Sequence, residues 1–165
     1  MKRPDLNQDA DAVFAALIRA EFDGFQEFLQ LLQQEQGALI KGNADQLLQL
    51  AARKSGLTEK LTGLSAQRIS CITAAGCENS ASGIAAYLGA IKAQAATREL
   101  WGKLLDLARE ADRINRSNGI LIDTRLRHNQ QTLSVLQSAA NPAASLYGPD
   151  GQISGTASGR RLDKA

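Results

Sequence analysis

At 165 residues and a net charge of +2, the chain is long enough for one domain with its own core and too short for two ordinary ones. Its three prolines are Pro4, Pro142 and Pro149 and aromatic residues make up 4%, so no missing backbone donor interrupts positions 5 to 141 and helices are favoured over strands. The chain shows no concentrated basic face and little aromatic interleaving, which argues against nucleic acid, and no apolar run reaches membrane-spanning length.

The start, Met1-Lys2-Arg3-Pro4-Asp5, is followed by polar residues rather than the apolar core of a signal peptide, so a soluble cytoplasmic protein without membrane insertion is expected. Charge is uneven: residues 1 to 42 hold four Lys/Arg against seven Asp/Glu, and residues 93 to 140 hold seven against five. Neither imbalance is large enough to name a partner.

From about Asp9, the residues Phe14, Ile18, Phe22, Phe25, Leu29 and Leu32 recur at steps of three and four, with Val13, Leu17, Phe28 and Leu31 widening the stripe. This predicts a long amphipathic helix. Acidic residues lie near its start and Lys41-Gly42 at its end, where each suits the helix dipole. All four phenylalanines fall on this helix and are read as core rather than as a ligand pocket.

Asn43, with Gln46 three residues on, predicts a capped second helix after a minimal turn, antiparallel to the first. Leu47, Leu50, Leu57, Leu61, Leu64, Cys71 and Ala75 keep a heptad rhythm along it, with Lys54 and Arg68 at two seam positions. Both cations are expected to snorkel outward, because no acid is paired with them in local sequence. Cys71 and Cys77, six residues apart on a helix, would point to different sides and stay reduced and buried. Between Gly76 and Lys92 the composition turns to Gly, Ser and Ala, with a short helix expected from about Ser82 through Tyr87-Leu88.

A last helix is predicted from Ala93 to Ala140, roughly 70 Å long if continuous. Leu100, Trp101, Leu104, Leu107, Ala108, Ala111 and Ile114 form its first apolar stretch. Its far half carries Ile120, Leu121, Ile122, Leu126, Leu133, Val135 and Leu136 among polar residues. Few domains of this size can bury such a helix throughout, so part of this surface is expected to await a partner. Gly119, after Asn118, is read as a point of close packing against the first two helices in preference to a weak point in the helix. After Ala140, residues 141–165 are too poor in apolar side chains to offset the entropy of ordering, and form a flexible tail with Leu146, Tyr147 and Ile153 as sparse anchors.

Reactive groups do not converge. There is one histidine, and no Cys-x-x-Cys, His-Glu-x-x-His or Glu-x-x-His element, so neither a metal, nor another cofactor, nor catalysis is expected. Gly148-x-x-Gly151 lacks the Lys-Ser/Thr of a phosphate loop. The enzymatic alternative is a histidine phosphotransfer domain using His128, although Asn129-Gln130-Gln131-Thr132 departs from the usual pattern after that histidine. The structural alternative is a self-associating coiled-coil scaffold built on the same heptads, and a homo-oligomer is left open.

The combination of a long last helix, Asn118-Gly119 followed by Leu126, Asn129, Leu133 and Leu136, and a terminal Leu146-Tyr147-Gly148-x-x-Gly151 resembles the FlgN family of cytoplasmic flagellar type III export chaperones. The resemblance covers most of the chain in architecture and is most specific from Asn118 to Gln152. It implies a non-catalytic chaperone that binds the C-terminal helical segments of the two hook-associated (hook-filament junction) proteins, prevents their premature assembly and delivers them to the export gate. On matching positions Ile120, Leu121, Leu126, Leu133 and Leu136 become substrate contacts. Leu146, Tyr147 and Gly148 become the docking element for the cytoplasmic domain of the gate protein. The expected fold is all-α: a bundle or coiled coil of three long helices plus a short connecting helix over residues 1–140, then the tail of 141–165.

Overall fold

The computed structural model describes residues 6–140, with side-chain environments from Asp9 onward. The described residues form four α-helices and no strand: α1 (Leu6–Lys41), α2 (Ala44–Ala74), α3 (Ala81–Ala90) and α4 (Ala95–Ala140). The all-α architecture expected from the periodicity is present. Residues 141–165, with the expected docking residues Leu146, Tyr147 and Gly148, lie outside the described residues. Contacts divide the chain between Leu121 and Ile122, into the bundle of residues up to 121 and a second unit that holds the remainder of α4.

Local chemistry sets the helix ends in the bundle. Gly42 reverses the chain at φ 72°, a left-handed conformation cheap only without a Cβ. Asn43 then accepts from the Gln46 amide at 3.1 Å, the N-cap that the Asn-x-x-Gln spacing predicts. At the other end of α2, Gly76 adopts φ 76°, its amide donates to the Thr73 carbonyl, and the Cys77 amide returns to the Ile72 carbonyl at 3.1 Å. This is a Schellman closure. Cys77 therefore lies past the helix, and the expectation that helical spacing separates it from Cys71 does not hold; both thiols are free and half-buried.

Ser80 caps α3 by accepting from the Gly83 amide at 3.0 Å, which starts this helix slightly earlier than its apolar residues alone imply. Gly83 is obligatory there, because a Cβ would overlap the Glu78 backbone carbonyl. Arg98 ties the end of α3 to the start of α4, donating at 2.9 Å to the Leu88 carbonyl and at 3.2 Å to that of Ala93.

Three apolar clusters hold the bundle. The largest joins Phe14 and Ile18 of α1, Ile72 of α2, Tyr87 and Leu88 of α3, and Leu100 and Leu104 of α4. Phe14 meets Tyr87 edge-on with ring centroids 4.8 Å apart, a preferred aromatic geometry. Leu31, Ala38 and Leu50 join α1 to α2, and Leu32, Ala111 and Ile114 join α1 to α4. The phenylalanines do build the core: Phe14 is fully buried, and Phe22, Phe25 and Phe28 pack partly buried against it. Val13, read as a flank of the stripe, is exposed.

Candidate functional site

The seam of the bundle is more polar than its leucine rhythm suggests. Lys54 donates to both oxygens of Glu35, at 2.9 and 3.1 Å, and Arg68 Nε donates to both oxygens of Glu21, at 2.9 and 3.1 Å. Glu21 and Glu35 are buried, and the guanidinium of Arg68 also lies 5.1 Å from the Trp101 ring centroid. The expected snorkelling of Lys54 and Arg68 is thus overturned: each turns inward onto a carboxylate of α1. Their partners are remote in sequence but matched in register, since Glu21 and Glu35 stand two heptads apart on α1, and Arg68 and Lys54 two heptads apart in the opposite direction on α2. Burial pushes the Glu21 carboxyl above its ordinary pKa, and the charge and hydrogen bond of Arg68 only partly counter it.

Asn118 completes this polar seam. It is 0% exposed, and its Nδ2 donates at 2.8 Å to both the Leu32 carbonyl and Glu35 Oε2. The Asn118 Oδ1 atom has no hydrogen-bond partner. The close-packing reading of Gly119 does not hold, because a Cβ built there meets nothing within 4 Å; the residue packed against the other helices is its neighbour Asn118.

Within the bundle, the inward positions of α4 follow one heptad frame: Thr97, Leu100, Leu104, Ala111, Ile114 and Asn118 are buried, and Leu107 and Leu121 half-buried. Continued past Leu121, the same frame would present Arg125, His128 and Thr132. The apolar residues instead follow a frame shifted by one residue, Ile122, Leu126, Leu133 and Leu136, with Asn129 and Ala140 completing the steps of three and four. The frame changes where contacts divide the chain.

Every residue from Ile122 to Ala140 is exposed. Ile122 is 44% exposed, Leu126 55%, Leu133 58% and Leu136 59%. Four large apolar side chains at coiled-coil spacing on one uncovered face form a surface suited to an amphipathic partner helix. Leu126, Leu133 and Leu136, expected as contacts, share this stripe; Ile122 belongs with them and was not among the expected set. Of the other two expected contacts, Leu121 closes the bundle frame and Ile120, 66% exposed, falls in neither frame. His128 is exposed on the same segment, and its backbone carbonyl accepts from the Thr132 hydroxyl at 3.0 Å. Among the described residues no helix is long and apolar enough to cross a membrane, and no cluster of three or more His, Cys, Asp or Glu could hold a metal ion.

A family model described as FlgN protein matches residues 10–155. The chain is 43% identical over 54 residues to the flagella synthesis protein FlgN of Proteus mirabilis, a stretch covering 33% of this chain and 36% of that protein. It is 40% identical over 60 residues to the flagella synthesis protein FlgN of Yersinia enterocolitica, covering 36% of this chain and 40% of that one. The aligned stretches therefore span well under half the length of these curated relatives. No solved structure matches the chain.

Proposed function

The chain belongs to the FlgN family, and from that premise we propose that it serves flagellar assembly as a non-catalytic cytoplasmic export chaperone. Its substrates would be the C-terminal helical segments of the hook-associated junction proteins. The observation that supports this reading is the stripe of Ile122, Leu126, Leu133 and Leu136, uncovered and regularly spaced at 44–59% exposure. A substrate helix laid along it would remove apolar surface from water at about 25 cal/mol per Å², partly offset by the cost of ordering that helix. Such a balance suits capture followed by release at the export gate.

Delivery to the gate is assigned to Leu146, Tyr147 and Gly148. A tyrosine gives a transient contact both area and direction, through its ring and its hydroxyl. The two roles are separable by experiment. Leu133→Asp with Leu136→Asp should abolish capture of a C-terminal junction-protein peptide while circular dichroism shows helicity retained. Tyr147→Ala should leave that capture intact and weaken binding to the cytoplasmic domain of the gate protein. Loss of both activities in the Tyr147 variant would refute the division.

A further inference from the structure

One residue of the exposed stripe differs from the rest in chemistry. The stripe runs Ile122, Leu126, Asn129, Leu133, Leu136 and Ala140 at alternating steps of four and three, the seam positions of a heptad. Asn129 stands in its middle, exposed, between Leu126 and Leu133. It does nothing for its own helix. Asparagine is a weaker helix former than alanine or glutamine, position 129 lies well inside α4, and its carboxamide bonds to no described residue. Hydroxyls of the same segment behave differently: those of Thr132 and Ser138 donate to the His128 and Ser134 carbonyls at 3.0 and 2.5 Å. The residues flanking the seam select a partner only weakly. Asp123 and Arg125 are of opposite sign, and Gln130, Thr132, Gln137 and Ala139 further along carry no charge.

We propose that Asn129 sets the register of the captured helix, and that this helix carries one carboxamide or hydroxyl among its seam residues, placed to meet Asn129. The occupant is a substrate helix, so the inference rests on the chaperone reading of the stripe. Covering Asn129 strips water from two donors and an acceptor. An Asn, Gln, Ser or Thr opposite it restores hydrogen bonds, whereas an apolar residue leaves them unmade. A slide by one heptad, about 10 Å along the helix, would keep apolar residues on apolar residues but set Asn129 against one of them. Ile122, Leu126, Leu133 and Leu136 alone would accept either register. The polar position thus selects one segment at some cost in affinity, which also suits later release.

Calorimetric titration of the full chain with a C-terminal helical junction-protein peptide tests this. In a set of such peptides each Asn, Gln, Ser and Thr is replaced by leucine in turn. One replacement should weaken binding to the parent chain at least about tenfold, some 1.4 kcal/mol. Against Asn129→Leu the same replacement should cost nothing or improve binding, the signature of a directly coupled pair. Gln131→Leu, exposed and outside the seam, should respond to every peptide as the parent does, with the circular dichroism of both variants unchanged. Peptide binding by the parent chain with no replacement coupled to position 129 would overturn register setting and leave the chaperone reading standing. A change in Asn129→Leu confined to self-association, seen by light scattering, would also overturn it, because the stripe's occupant would then be a second copy. No peptide binding by any of the chains would remove both readings.

Discussion

The Asn118 side-chain amide donates to the Glu35 carboxylate at 2.8 Å, and Lys54 donates to both oxygens of the same carboxylate. One buried acid of α1 thereby joins all three long helices. Shifting any of them by a turn would strand a buried polar group, at a cost of about 1–3 kcal/mol or more. The network lies a single turn before the change of frame in α4, where the bundle gives way to the exposed stripe.

Removing the amide tests that role. Asn118→Ala should destabilise by about 2–4 kcal/mol in urea unfolding, combining lost hydrogen bonds with a small cavity. Asn118→Asp, nearly isosteric, should cost more than Asn118→Ala near neutral pH, because it sets a second buried carboxylate against Glu35. The reverse order would show that Asn118 contributes volume rather than hydrogen bonding.

Arg68→Ala should cost about 3–5 kcal/mol by leaving Glu21 buried and uncompensated, whereas Glu21→Leu with Arg68→Met should be close to neutral. Additivity of the single substitutions in a double-mutant cycle would contradict direct coupling of the pair.

Glu21 also gives a pH signature. Its carboxyl is raised in the folded state above the ordinary 4.5, so between 4.5 and the raised value the native state holds more protons than the unfolded one. The stabilising contribution is therefore fully present below the unfolded pKa and is lost as pH rises through the folded pKa. Stability measured relative to Glu21→Gln should grow as pH falls through that window. A difference that shrinks on acidification would mean that Arg68, not burial, dominates the carboxyl.

Two glycines should respond oppositely to alanine. Gly119→Ala meets open space and should stabilise by up to about 1 kcal/mol through helix propensity. Gly83→Ala runs into the Glu78 backbone and should cost more than about 1 kcal/mol. Thermal unfolding of the two variants checks both signs.

Much of this architecture is legible in the sequence. Phe14, Ile18 and Leu32, the leucines of α2 and the Asn43 cap all act locally, at steps of three or four residues, and such signals survive without knowledge of the partner helix. The ion pairs do not announce themselves in that way, because Glu35 and Lys54 meet across the antiparallel pair of helices. The available signal was the matched two-heptad spacing of Glu21 and Glu35 against Lys54 and Arg68. Similarly, Ile120 and Ile122 look alike by composition, and only the heptad frame separates them. Gly119 draws notice because glycine is rare inside helices, yet its neighbour Asn118 makes the tertiary contacts.

Substrate capture by the far end of α4 is tested most directly by titrating the full chain with a C-terminal helical peptide of a hook-associated junction protein, beside the Leu133→Asp/Leu136→Asp variant. The expected result is micromolar or tighter binding by the parent chain, about −8 kcal/mol or better, and at least a hundredfold loss in the variant with its helicity unchanged. Equal affinity in the two chains, or no binding to either, would contradict it.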